Sequence, residues 1–286
     1  MRRIKENRTI SYIIITIIYV IATVAAVLTY NALTFEWWLR LLVADIVATV
    51  ITFAFSLIFS NASVYDPYWS VQPIVILTAL AVGKALTPMR IMLLFVVYIW
   101  GIRLTVNWAY TFPNLSHQDW RYTMLKKKTG VFYPIINFVG IHMVPTLVVW
   151  GCVLPAAYVF LFDVVPTRAS VFCILLSIAA TIMQGVADLQ MHKFRKNRNG
   201  AFIRSGLWKH SRHPNYLGEI LMWWGIALSV ISADSSAVIL CLGAAANTLL
   251  FLFVSIPLAD GRQSAKPGFD EYKNETRMLL PIKRFK

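Results

Sequence analysis

Acidic residues are scarce in this chain. Only 13 of 286 residues are Asp or Glu, and all charged types together make up 14%. A soluble domain carries about a quarter. Cysteine is scarce too, and Cys152, Cys173 and Cys241 all fall inside apolar runs. An odd number of thiols without pairwise spacing argues against a disulfide framework, and no zinc-type Cys/His spacing is present. The three read as small packing residues, and no metal site is expected. Three signatures of soluble enzymes are also missing: GxGxxG after a strand, the Walker A loop and HExxH. Neither a Rossmann domain nor a zincin is available, so any dinucleotide must be held by a membrane helical bundle.

Apolar residues fill the chain instead. They make up 58% of it, with a mean hydropathy of +0.63. No charge interrupts Ile10 to Tyr30, a run close to the ~20 residues needed to span a bilayer. Apolar segments fall at about 10–31, 37–60, 71–86, 89–111, 131–162, 169–191, 214–232 and 235–258. They predict an all-α fold, a polytopic integral membrane bundle of seven to eight transmembrane helices. Seven results if 71–86, short and containing Pro73, does not cross. The first run exceeds a signal-peptide core of ~7–15 residues and reads as an uncleaved span. Residues 1–286 read as a single transmembrane domain.

The net charge of +14 raises nucleic acid as a partner, but the distribution speaks for a bilayer. Most Lys and Arg cluster before residue 9, in 112–130, in 192–213 and after 258. With eight spans these segments share one side, which the positive-inside bias makes cytoplasmic, with both termini there. The localisation expected is an integral membrane protein of the bacterial inner membrane, monomeric or weakly oligomeric. The 192–213 segment is then a cytoplasmic basic loop, and 259–286 a cytoplasmic C-terminal tail completing a cofactor site. The turn NASVYDPYWSVQP at 61–73 lies on that side without a basic residue. Its Asp66-Pro67 is a turn signal. Tyr65, Tyr68 and Trp69 make it either an interfacial aromatic belt or a loop folded over a pocket.

The stretch RSGLWKHSRHPNYLGEILMWWG, 204–225, runs a basic loop into an apolar helix. Pro214 suits a first helical position. Asn215, Glu219 and Trp223 recur at i, i+4, i+8 and share a face. A helix N-terminus beside Arg212 and His213 is a ready anion site.

Ionisable groups inside spans are expensive and usually functional or paired. Four stand out: Asp45, Arg103, Asp188 and Glu219. Gln184, Asp188 and Arg195, at spacings of four and seven, reach the same end of one helix. With Arg204, Arg212 and His213 they can hold a nucleotide: hydrogen bonds for adenine or ribose, cations for phosphates. The blander alternative is a structural Asp–Arg pair with a headgroup-binding loop. For Asp45 a structural hydrogen bond or a pairing with Arg103 is expected.

These residues carry a family likeness. GLWKHSRHPNYLGEILMWWG resembles the C-terminal signature of steroid 5-alpha-reductase-like membrane proteins, especially the bacterial branch labelled DUF1295. Ile256-Pro257-Leu258, Arg262, Lys266-Pro267-Gly268-Phe269-Asp270-Glu271-Tyr272 and Leu280-Pro281 extend the likeness, as do Trp100-Gly101-Ile102-Arg103-Leu104 and Ala187-Asp188 to Arg195. It covers most of 60–286. The resemblance implies an NADPH-dependent membrane reductase that moves hydride to the β-carbon of an enone or activated C=C in a steroid-like or other lipid. It implies that Asn215 holds the nicotinamide amide, that Glu219 organises the polar end of the pocket, and that Asp188 and Arg195 anchor the adenosine phosphates. Arg103 resembles a pocket arginine, and Tyr216 and Tyr272 group with the cofactor residues. In the family an early Glu and Tyr polarise the substrate carbonyl. Here Gln72 or Asp66 is the nearest polar group to the first, and Trp100 stands where the Tyr belongs, with Tyr98 two residues away. Two residues turn a helix face by roughly 200°. Tyr98, Tyr68, Tyr65 and Tyr216 all remain candidates for the donor that stabilises the enolate.

Two other readings compete. Isoprenylcysteine and phospholipid methyltransferases share an RHPxYxG-like motif and use S-adenosylmethionine; here Glu219 after Gly218, Asn215 after Pro214, and Asp188 with Arg195 lean towards the reductases. A transporter or lipid-binding scaffold would show broken helices in paired halves, and no such symmetry is present.

Overall fold

The computed structural model describes residues 2–196 and 201–281. Arg198, Lys283, Arg284 and Lys286, part of the basic clusters above, lie outside the described residues. Among the described residues thirteen α-helices follow in order. They are α1 (Arg2–Glu6), α2 (Arg8–Ala32), α3 (Trp37–Ile58), α4 (Tyr68–Ala81), α5 (Pro88–Thr111), α6 (Trp120–Thr129) and α7 (Tyr133–Ile136). Then come α8 (Val144–Leu161), α9 (Arg168–Lys196), α10 (Pro214–Ile231), α11 (Leu242–Leu250), α12 (Ile256–Gln263) and α13 (Phe269–Glu275). No strand occurs among the described residues.

Local chemistry sets several boundaries. Asn7 caps α2 by accepting from the Ile10 N–H at 3.0 Å, and Asp119 caps α6 through the Arg121 N–H at 2.8 Å. Both satisfy an N–H that the first turn leaves without a helical partner. Pro214 is the first residue of α10, where its missing N–H costs nothing. Short π-helical stretches, Asn137–Met143 and Phe251–Ser255, join α7 to α8 and α11 to α12.

All eight apolar segments are helical, and six are long and apolar enough to cross a membrane: Arg8–Ala32, Trp37–Ile58, Pro88–Thr111, Trp120–Leu161, Arg168–Lys196 and Ser235–Gln263. The other two contain α4 and α10. With 14 residues, α4 covers only about 21 Å at 1.5 Å per residue, against a hydrocarbon core of about 30 Å. With 18 residues, α10 carries Glu219. The basic 192–213 segment begins inside a helix, because α9 continues to Lys196.

Two compact units are distinguishable along the chain. The first comprises residues 1–86 and 97–161, the second 87–96 and 162–286. In the first, α2 packs along α3, and α3 and α4 pack against α8. Ile15, Ile18, Val64, Phe112 and Leu115 form one buried cluster; Ala22, Ala48, Tyr65 and Tyr68 form another. In the second, α9 and α10 lie antiparallel at very close range. A Cβ on Gly218 would fall 2.7 Å from the Ala180 carbonyl, and one on Gly225 would fall 2.7 Å from the Cys173 carbonyl. Small residues let membrane helices approach this closely.

Candidate functional site

In the second unit the loop before α10 is fastened from both sides. Gly206 takes a left-handed φ of 62°, and the next N–H, of Leu207, donates to Gln190 Oε1 on α9 at 2.9 Å. Trp208 packs against Ala187 and Ile203 and donates its indole N–H to the Ala187 carbonyl at 3.2 Å. The C-terminal segment holds the loop from the other side. Arg212 donates to Asp260 Oδ2 at 3.0 Å and to the Thr276 carbonyl at 2.7 Å. His213 Nε2 meets Asp260 Oδ1 at 2.9 Å. Tyr272 donates to the Trp208 carbonyl. Burial pushes the Tyr272 hydroxyl up to about 12, against the pull of Arg212 and Arg204.

From this frame α10 projects its N-terminal end. Tyr216 stacks flat on His213, with centroids 5.2 Å apart and planes at 5°, and also touches Phe251. Glu219 accepts from the Trp223 indole at 3.0 Å, the i, i+4 pair that the spacing predicts. Asn215 is half-buried, and its Oδ1 is fully enclosed without a hydrogen-bond partner among the described residues. Buried amide oxygens are usually bonded. An orphan at the positive end of a helix fits a ligand that brings an N–H. Gln184 is wedged at the seam, its Cγ 2.5 Å from where a Cβ on Gly218 would stand. Asp188 is half-buried, whereas Arg195 and Arg204 are exposed. Arg204 pairs with Glu275 at 3.0 Å.

The first unit holds a different kind of site. A cavity of about 160 Å³ runs between α2, α3 and α4. Its walls are mainly Ala, Val, Leu and Ile; Asp45, Tyr68, Gln72 and Tyr19 line one part of it, and Thr23, Tyr30 and Asn31 also contribute polar groups. Tyr68 donates to Asp45 Oδ1 at 2.7 Å, and the Gln72 amide donates to Asp45 Oδ2. Asp45 is 4% exposed. Of its two expected partnerships the hydrogen bond is realised, with Tyr68 and Gln72, rather than an ion pair with Arg103. The turn before α4 does fold inward: Tyr65 is buried against His142 and Tyr68 and hydrogen-bonds Thr146 at 2.8 Å. Asp66 accepts from Tyr122 at 2.7 Å. Burial pushes the Asp66 carboxyl up to about 6, although Arg121 and the Tyr122 bond pull it down.

The residues singled out in the sequence are thus divided. Glu219, Gln184, Asp188, Arg195, Arg204, Arg212, His213, Asn215, Tyr216 and Tyr272 belong to the second unit, and Tyr68, Gln72, Tyr98 and Arg103 to the first. Of the four tyrosine candidates for donor, Tyr68 alone lines the cavity. Tyr98 is bonded to Thr78 at 2.6 Å and Tyr65 to Thr146, while Tyr216 stacks on His213. Two carboxylates gained partners that sequence reading did not name. For Asp45 it offered a structural hydrogen bond without a partner, or Arg103. Asp260 sits one residue beyond Ile256-Pro257-Leu258-Ala259 and has no local signal.

A profile for the family described as "Protein of unknown function (DUF1295)" matches residues 52–276. The match spans most of the chain, which therefore belongs to that family. No curated protein matches it.

Proposed function

We propose that this DUF1295 member is an NADPH-dependent membrane reductase acting on an activated C=C of a steroid-like or other lipid. The observation that carries the reading is the entrance of α10. There a buried amide oxygen, Asn215 Oδ1, lacks a partner among the described residues, at a helix N-terminus, and the same unit carries the exposed cations Arg195 and Arg204. A nicotinamide carboxamide brings the N–H that this oxygen lacks, and phosphates suit a helix N-terminus and guanidinium groups. Arg212 and His213 face Asp260, so in this reading they brace the loop while Arg195 and Arg204 meet phosphate. Asp188 and Gln184 stand on the neighbouring helix, and Glu219 holds Trp223 one turn below Asn215.

When bound, NADPH supplies hydride to the β-carbon, and the α-carbon then needs a proton. Within the first unit, Tyr68, with its hydroxyl held by Asp45, is a proton-bearing group beside a largely apolar cavity. The remaining expectations join the proposal: α4 and α10 complete eight spans, both termini are cytoplasmic where NADPH is available, and the membrane is the bacterial inner membrane.

Thermal unfolding in detergent with NADPH or S-adenosylmethionine tests the reading, because a ligand of the folded state raises its stability. NADPH is expected to raise the midpoint and S-adenosylmethionine to leave it unchanged. Asn215→Ala is expected to weaken NADPH about tenfold, the equivalent of about 1.4 kcal/mol, at an unchanged midpoint without ligand. Stabilisation by the methyl donor alone would replace the reductase with a methyltransferase.

A further inference from the structure

Several cations of the first unit are spent on the protein itself. Lys5 donates to the Phe59 carbonyl, Arg8 to the Ala109 and Tyr110 carbonyls, and Arg40 to the Tyr30 carbonyl. Arg121 pairs with Asp119 at 2.8 Å. Lys126, Lys127 and Lys128, in the last turn of α6, differ from these. All three are exposed, and no hydrogen bond or ion pair engages their ammonium groups among the described residues. Lys126 only approaches the Tyr133 ring, 5.8 Å from its centroid. The negative end of the helix dipole favours lysine there. Three exposed charges side by side also attract anions.

The surroundings say which anion. The apolar stretch Trp120–Leu161 that begins with α6 has 42 residues. Straight, it would measure about 63 Å, twice a hydrocarbon core of about 30 Å. The core takes the part nearer Leu161, and α6 is left at the boundary with its charges. Gly130, at φ 52°, ends α6. Large apolar side chains follow at once: Val131, Phe132 and Ile135 are 88%, 65% and 61% exposed. Cations beside exposed apolar groups suit the junction of headgroups and acyl chains. A free phosphate would satisfy the lysines and leave Phe132 in water. The helix is also held in place before any lipid arrives. Tyr122 donates to Asp66 at 2.7 Å, and the Asp119 N–H donates to Ser63 Oγ at 2.9 Å.

We propose that Lys126, Lys127 and Lys128 bind the headgroup of an anionic phospholipid, with Val131, Phe132 and Ile135 against its acyl chains. The proposal goes beyond the reductase reading and does not rest on it. The test is thermal unfolding of the full chain in a neutral detergent, without nucleotide. The probes are dioctanoyl phosphatidylglycerol, dioctanoyl phosphatidylcholine and soluble glycerol phosphate. Phosphatidylglycerol is expected to raise the midpoint at concentrations at least about tenfold below those of phosphatidylcholine, a preference of about 1.4 kcal/mol. Glycerol phosphate is expected to have no effect at those concentrations. Replacing the three lysines together by Gln is expected to erase the preference, and replacing them by Arg to keep it. In the wild type, about 1 M salt, where the screening length is about 3 Å, is expected to erase it as well. That arm stands even where a variant fails to fold. Equal response to the two lipids, a preference kept by the Gln variant or in high salt, or its loss in a folded Arg variant would each overturn the proposal. Stabilisation by glycerol phosphate at the lipid's concentrations would overturn it in favour of a site for soluble phosphate.

Discussion

Asp45 in the first unit and Asp260 in the second are both largely enclosed carboxylates, yet they keep different company. Asp45 receives its hydrogen bonds from neutral groups, Tyr68 and Gln72. Asp260 receives them from Arg212 and His213. The cationic partnership fastens the C-terminal segment to the loop before α10, and both terminal nitrogens of Arg212 are spent on protein atoms. The neutral partnership lines a cavity and leaves one amide oxygen over, at Gln72. Each partnership leaves one buried atom over, Arg212 Nε beside Asp260 and Gln72 Oε1 beside Asp45, so what separates the two is the charge of the partners and the cavity at Asp45.

Removing one partner from each carboxylate is the strongest way to break that contrast. Asp260→Ala leaves the Arg212 guanidinium, 6% exposed, without its counter-ion, and is expected to cost about 3–5 kcal/mol. Asp45→Asn removes no counter-ion and keeps an acceptor for Tyr68, so about 1 kcal/mol is expected. Chemical or thermal unfolding of the two variants side by side compares them; equal losses would erase the distinction. A smaller effect is expected at the α9–α10 seam. Gly225→Ala places a methyl 2.7 Å from the Cys173 carbonyl, an overpacking worth about 1–3 kcal/mol. Gly261→Ala on α12, with nothing within 4 Å, serves as the matched control. It is expected to be neutral or to stabilise by up to about 1 kcal/mol through helix propensity.

The smallest expected effect is a pH dependence at Asp66. Its carboxyl is raised from 3.8 to about 6 in the folded chain. Between those values the folded state binds the proton more readily than the unfolded state. Stability therefore rises as pH falls from 7 through 6 towards 4, and the contribution is complete below 3.8. The difference in unfolding midpoint between wild type and Asp66→Asn, followed over pH 7 to 4.5, isolates this group. A difference that does not vary with pH would place Asp66 at its ordinary value.

Much of this was legible before any coordinates. Every apolar segment became helix, because the drive to satisfy backbone groups out of water acts along the chain itself. The start of α10 at Pro214 and the Glu219–Trp223 contact followed from proline geometry and the 3.6-residue turn. Asp45 was visible as an isolated acid, but its partners lie 23 and 27 residues away on another helix. Asp260 was not visible at all, since 47 and 48 residues separate it from His213 and Arg212. The seam at Gly218 and Gly225 was hidden for the same reason: a glycine in a helix shows what it permits only once the neighbouring helix is placed.

The sequence by itself determined the membrane class, the helices and the motif at the mouth of α10, because period, hydropathy and capping are properties of neighbouring residues. Only the tertiary structure decided which carboxylate meets a cation and which meets an amide, which tyrosine lines a cavity, and which buried amide oxygens, Asn215 Oδ1 and Gln72 Oε1 among them, are left without a donor among the described residues. Those are questions of distance through space, and helix packing answers them where a one-dimensional pattern carries no term for it.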